Sequence, residues 1–172
     1  LFRSICADPN PAGAGLVEQP YADFFPDQSF PSRRQRFSPG SYAVTTSPLD
    51  VSAQNMLEAS VRIYPTLQTT GVQTILSFGK FSIELAPGGG VRLRAGNVTL
   101  TTSEVTVVRQ WYQIDASFAA TGRITISLSA LSGARAASTA SVDASVDLNV
   151  RDVVMVAARP SEAGHIDCFN GK

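Results

Sequence analysis

The chain has 172 residues, 44% of them hydrophobic, and its 14 basic side chains balance 14 acidic ones. That length suits one domain with a sizeable core, and zero net charge removes the cationic face that non-specific nucleic-acid binding needs. Charged residues are only 16%, below the roughly 25% usual for soluble domains, which favours β-structure over solvated helices.

Leu1–Cys6 lacks the apolar stretch and cleavage site of a secretion signal. No run of about 18 apolar residues occurs, so no membrane span is expected. A cytoplasmic location and two unpaired thiols, Cys6 and Cys168, are the corresponding expectations. Residues 1–40 read as an extended arm. Pro9, Pro11, Pro20, Pro26, Pro31 and Pro39 break any long element, while Tyr21, Phe24, Phe25, Phe30 and Phe37 supply apolar side chains to bury. Arg33, Arg34 and Arg36 form a small basic cluster within it.

Residues 41–172 read as the sandwich. A short helix is expected around Leu49–Met56, and then period-two alternation takes over. Leu57, Ala59, Val61 and Ile63 alternate with Glu58, Ser60, Arg62 and Tyr64; Phe81, Ile83 and Leu85 alternate with Ser82 and Glu84. Val91, Leu93 and Ala95 alternate with Arg92 and Arg94, and Val98 and Leu100 with Thr99 and Thr101. Tyr112, Ile114, Ala116 and Phe118 form one face of the next strand, and Ile124, Ile126 and Leu128 one face of its successor. Pro87-Gly88-Gly89-Gly90 and Thr121-Gly122 supply hairpin turns. Val142, Val146, Leu148 and Val150 read as ordinary strand, and Val153–Ala158 as a strand covered on both faces or one near the sandwich centre. Short strands at this spacing predict an all-β, two-sheet antiparallel sandwich.

Few residues carry recognisable chemistry. His165 is the single histidine, and its spacing to Cys168 does not fix a thiol–imidazole pair. Glu58, Glu84 and Asp115 each stand alone on their strands, without the i, i+2 partner that would place paired glycosidase carboxylates on one face. Asp143, Asp147, Asn149 and Asp152 are oxygen-rich but match no calcium loop. Gly88-Gly89-Gly90 lacks the Lys-Ser/Thr of a phosphate cradle, and Asn97-Val98-Thr99 matches the short glycosylation triplet. No catalytic and no metal-binding residue is assigned. Arg62, Tyr64, Arg92 and Arg94, on outward strand positions, are the candidate binding residues for a sugar or protein surface.

Two resemblances add to this reading. Leu57–Thr66, Gln73–Gly79, Phe81–Gly89 and Trp111-Tyr112-Gln113-Ile114 together resemble a laminin-G-like, concanavalin A-type jelly roll, except that Arg62 stands where that family often has Trp. Cys6–Gly15, Pro31-Ser32-Arg33-Arg34-Gln35, Pro39-Gly40-Ser41-Tyr42 and Phe169-Asn170-Gly171-Lys172 resemble the N,N-dimethylformamidase large (β) subunit. The second resemblance implies an iron-dependent parent amidohydrolase cleaving N-substituted formamides. Its metal ligands lie in a later domain, so none falls on this chain, and Lys172 is expected to lead onward. The implied partners are the remainder of the large subunit and a small subunit, with a homo-oligomer as a further expectation. The expected role is non-catalytic packing and assembly. The alternatives are a carbohydrate-binding module and, last, a glycoside hydrolase.

Overall fold

Alternating apolar and polar residues put one face of an extended chain in the core and one in water, and this pattern builds the fold. The computed structural model describes residues 2–6, 41–67, 70–132, 136–162 and 164–171. Its strands begin with β1 (Phe2–Cys6), β2 (Ser41–Thr45), β3 (Leu49–Asp50), β4 (Met56–Ile63), β5 (Gln73–Phe78), β6 (Phe81–Leu85) and β7 (Gly90–Ala95). They continue with β8 (Val98–Val105), β9 (Tyr112–Ala119), β10 (Arg123–Ala130), β11 (Ser138–Asp143), β12 (Arg151–Asp152), β13 (Val154–Val156), β14 (Arg159–Ser161) and β15 (Gly164–Ile166). A seven-stranded sheet in the order β1-β2-β13-β5-β6-β7-β8 packs on a four-stranded sheet, β11-β10-β9-β4, with ribbons β12-β3 and β14-β15 beside them. The pairings within these sheets are antiparallel. The fold is the expected all-β sandwich. β1 lies within the expected arm and pairs with β2, Phe2 opposite Thr45; residues 7–40, with the arm's aromatics and arginines, lie outside the described residues.

The core lies between the sheets. Ile83, Val91 and Leu93 from one side and Ile114, Ile124 and Ile126 from the other are fully buried. Each such side chain contributes about 1.5–3 kcal/mol. Phe81 and Phe118 meet edge-to-face across the gap with ring centroids 5.1 Å apart. Because neighbouring residues on a strand face opposite ways, a one-residue slip would expose this whole set.

The hairpins follow the glycines. At the β5–β6 turn Gly79 has φ +54, and a Cβ there would lie 2.7 Å from Val150 Cγ1, so both backbone and space demand glycine. Gly88 and Gly89 take φ 88 and 90 between β6 and β7.

Four segments depart from the sequence reading. Leu49–Met56 is not helical: β3 pairs with β12, and Asp50 Oδ1 accepts hydrogen bonds from the Ser52 N–H (3.0 Å) and hydroxyl (2.6 Å). That local turn competes with helix formation. Residues 144–150 alternate as expected, with Val146, Leu148 and Val150 buried, but no strand is assigned there. The segment crosses the end of the sandwich, held by Ala144 N–H to Gly122 O and Val146 N–H to Ala120 O. Val153–Ala158 narrows to the three residues of β13, central in its sheet, yet Val154 and Val156 are only half-buried. Conversely, all five residues of β6 are buried, including outward Ser82 and Glu84.

Candidate functional site

The antiparallel register gathers one set of loops at one end of the sandwich. Residues 64–67, 70–72, 86–89, 106–111 and the start of the loop after β10 all lie there. The Arg109 N–H donates to Pro65 O (2.7 Å), Thr106 N–H to Gly89 O (2.8 Å) and Leu131 N–H to Trp111 O (2.9 Å), tying these loops together. Behind them Gln73, only 3% exposed, donates to Leu67 O (3.1 Å) and accepts from Asn170 N–H (2.8 Å). Phe169 buries its ring beside the core.

This rim is apolar. Leu67, Val107, Val108, Trp111 and Leu131 are each between 36% and 48% exposed. A shallow hollow between Pro65, Leu67, Leu85 and Val108 adjoins them. Contiguous apolar surface of this kind marks contact sites more often than free surface. Arg109 sits at φ 63 within the loop, a left-handed conformation that costs a non-glycine residue roughly 1–2 kcal/mol. The loop is braced by Tyr112: its buried hydroxyl accepts from Val107 N–H (2.8 Å) and lies 3.2 Å from Gln110 Oε1. Tyr112→Phe should therefore cost about 1–2 kcal/mol by leaving that N–H unsatisfied. Urea unfolding measures the loss, and faster hydrogen exchange at the Val107 amide locates it.

From the rim a row of outward side chains runs along β4 and β9. Tyr64 and Trp111 meet at 5.3 Å between centroids, tilted by 47°. Next, Arg62 Nε donates to Gln113 Oε1 at 2.9 Å. Beyond it Ser60 Oγ donates to Asp115 Oδ1 (2.6 Å), and Gln113 Nε2 donates to Ser60 Oγ (2.5 Å) and Asp115 Oδ1 (2.9 Å). Thus Arg62 and Tyr64, two of the residues singled out in the sequence, share one surface. Arg92 and Arg94 do not join it. They lie on β7, on the outer face of the other sheet. Arg94 is exposed there, whereas Arg92 pairs with buried Glu84: Nε and Nη2 donate to Oε2 at 2.9 and 2.5 Å. Ser82 Oγ donates to Oε1 at 2.8 Å. Glu84, which looks solitary in the sequence, is an anchored structural carboxylate.

Cross-strand register also brings acids together that single-strand reading separates. Glu58 faces Ser117 and Ser60 faces Asp115, so Glu58 and Asp115 are diagonal neighbours, at roughly 7–8 Å. Both are exposed, whereas the general acid of a glycosidase pair needs a desolvated setting. In the oxygen-rich stretch, Lys80 Nζ lies 2.5 Å from Asp147 Oδ2 and Asp147 Oδ1 accepts from Asn149 N–H; these contacts hold the Asp147 carboxyl below its ordinary range. Asp152 Oδ1 accepts from Val153 N–H. Among the described residues, no three His, Cys, Asp or Glu side chains are placed to hold a metal ion.

Cys168 is a free thiol whose backbone bridges to Thr74; the His165 side chain lies outside the described groups. Burial first, then the Asp167 charge, pushes the Cys168 thiol from 9.0 up to about 11. The folded chain holds this proton more tightly than the unfolded one. The associated stability is complete below about pH 9 and is lost as pH rises through about 11. In a Cys6→Ser background, alkylation of Cys168 by iodoacetamide at pH 8 should run about 100-fold slower than for a free thiol and recover in urea.

No protein-family model and no curated protein matches the chain. Solved structures do. The LG1–3 region of the laminin alpha2 chain superposes with a TM-score of 0.54 at 20% identity, over 74% of this chain and 28% of that one. Domains LG4–5 of the mouse laminin alpha1 chain give 0.54 at 15% identity, over 76% and 36%. A heptameric SAP-like pentraxin from Limulus polyphemus gives 0.54 at 14% identity, over 76% and 65%. The chain thus spans about a third of the laminin fragments it matches. At these identities the likeness concerns the fold alone, a two-sheet jelly-roll sandwich similar to those of the laminin G domains and the pentraxin.

Proposed function

We propose that this chain is a non-catalytic jelly-roll module that docks onto other parts of a larger protein through the apolar rim around Trp111. The observation that carries this reading is the rim itself, where Leu67, Val107, Val108, Trp111 and Leu131 stay exposed on tethered loops. Docking would remove that apolar area from water, at about 25 cal/mol per Å². The parent we propose is an amidohydrolase like the N,N-dimethylformamidase large subunit, on the resemblance of Cys6–Gly15, Pro31–Gln35 and Phe169–Lys172. Iron and the small subunit would then belong to that parent.

Trp111 is the only tryptophan of the 172-residue chain, and in the polypeptide encoded by the complete gene its emission is isolated as the difference between wild type and Trp111→Phe. That difference spectrum should lie to the blue of the emission of the 172-residue chain. Unchanged emission would remove the rim as the contact. Hydrolysis of N,N-dimethylformamide to formate and dimethylamine should occur with the complete polypeptide and its small subunit, not with this chain. Turnover by this chain would overturn the non-catalytic role, and an inactive complete assembly would overturn the parent.

A second reading rests on the β4–β9 row. The Tyr64–Trp111 pair offers a ring face, and Arg62, Gln113 and Asp115 offer hydrogen-bonding groups beside it, the combination a sugar ring takes. Binding on a glycan array that quenches Trp111 would support this module; no binding to any glycan would end it.

A further inference from the structure

We infer that residues 7–40 pack their aromatic side chains into a step that the unequal sheets leave beside β4. The sheets are in line at their β8 and β11 edges, where the Ser103 N–H donates to Ser138 Oγ (3.1 Å). Further in, Phe81 of β6 meets Phe118 of β9. Followed from that side, the four-stranded sheet runs out at β4, while β13, β2 and β1 carry the seven-stranded sheet onward. Among the described residues no strand of the second sheet therefore lies opposite these three.

Burial shows the consequence. Val154 and Val156 lie opposite Phe78 and Leu76 on the inner face, yet both are only half-buried. Met155 between them points to the outer face and is buried, the reverse of what a sandwich strand should show. Ala43, opposite Val156, is half-buried as well. On β4, Leu57, Ala59 and Val61 point inward and are half-buried, whereas Ile114, Ala116 and Phe118 on neighbouring β9 are buried. The step thus has an apolar floor on β13 and β2 and an apolar wall on β4. Residues 46–55 bound one end as they pass from β2 to β4, and Asn170, whose carbonyl accepts from the Thr66 N–H (2.9 Å), bounds the other.

The occupant is argued from tethering and composition. Residues 7–40 leave β1 after Cys6 and re-enter β2 at Ser41, and these two residues are paired. Both ends are thus fixed to the strands that overhang β4. An extended chain covers about 3.3 Å per residue, so a few residues span the two strand spacings, about 4.8 Å each, between β2 and the β4 side. Tyr21, Phe24, Phe25, Phe30 and Phe37 supply the apolar side chains. A segment tethered at both ends meets the step at an effective concentration that a free partner does not reach. The step is a different surface from the apolar rim, so this packing stands or falls independently of the docking proposed above.

Photo-crosslinking on the 172-residue chain tests it. Benzoylphenylalanine placed in turn at Tyr21, Phe24, Phe25, Phe30 and Phe37 should bond to β4, β13 or β2 of the same chain, as mapped by mass spectrometry. Crosslinks that fall instead on the Trp111 rim, on outward Thr99 or Thr101 or on a second copy would overturn the assignment, as would none at any position. A second measurement reads the energy of packing. Replacing Phe24, Phe25 and Phe30 together by Ser should raise the unfolding equilibrium constant in urea by about tenfold or more, because docked rings lose their burial. An unchanged urea midpoint would mean that these rings are not packed, and the inference would fall.

Discussion

Arg92→Met should destabilise the domain by about 3–5 kcal/mol, because it strands a buried charge. The Glu84 side chain is 1% exposed and that of Arg92 22%. Removing the guanidinium leaves the carboxylate, among the described residues, with the Ser82 hydroxyl alone. Glu84→Gln should cost less, about 1–2 kcal/mol, because the guanidinium that remains retains access to water. The double variant Glu84→Leu/Arg92→Met removes both charges together and should return close to wild-type stability. Urea midpoints of the three variants form a double-mutant cycle. Equal losses for the two single variants, or an additive double variant, would show that the pair is not acting as a desolvated unit.

Phe118→Ala should cost about 3–5 kcal/mol. Phe118 is 3% exposed and its ring meets the Phe81 edge across the sheets, so truncation loses burial, an aromatic contact and close packing. The rim gives the contrast. Leu131→Ala, at a position 48% exposed, should change stability by less than about 0.5 kcal/mol. Because one change empties the sandwich interior and the other trims its surface, equal Tm shifts would contradict the arrangement of core and rim described above.

Much of the architecture is legible in the sequence because strands report locally. Ile114, Ala116 and Phe118 alternate with Asp115 and Ser117 whatever lies across from them, and the glycines at 88, 89 and 122 mark turns with positive φ. Where local signals compete, the reading fails. At Leu49–Met56 the Asp50 side chain claims the Ser52 N–H and makes a turn of an expected helix. At 144–150 alternation persists without a strand, because alternation reports burial and a strand also needs a neighbour to pair with.

The candidate site was less legible. The outward placement of Arg62, Tyr64, Arg92 and Arg94 follows from parity along each strand. Parity does not say which sheet a strand joins, so the assignment of Arg62 and Arg92 to opposite sides of the sandwich came only from topology. Glu84 looks solitary because its partner lies on the next strand, eight residues on. Trp111 and the valines before it look like ordinary strand flank until the loops from four strand ends meet around them.

By itself, then, the sequence determined the secondary-structure class, the core faces and the main hairpin turns, all of which depend on residues within a few positions of each other. The tertiary structure decided the Glu84–Arg92 pair, the diagonal approach of Glu58 to Asp115 and the apolar rim. Each of these depends on which strands become neighbours. That choice is made by packing two sheets face to face, and no short stretch of the chain encodes it.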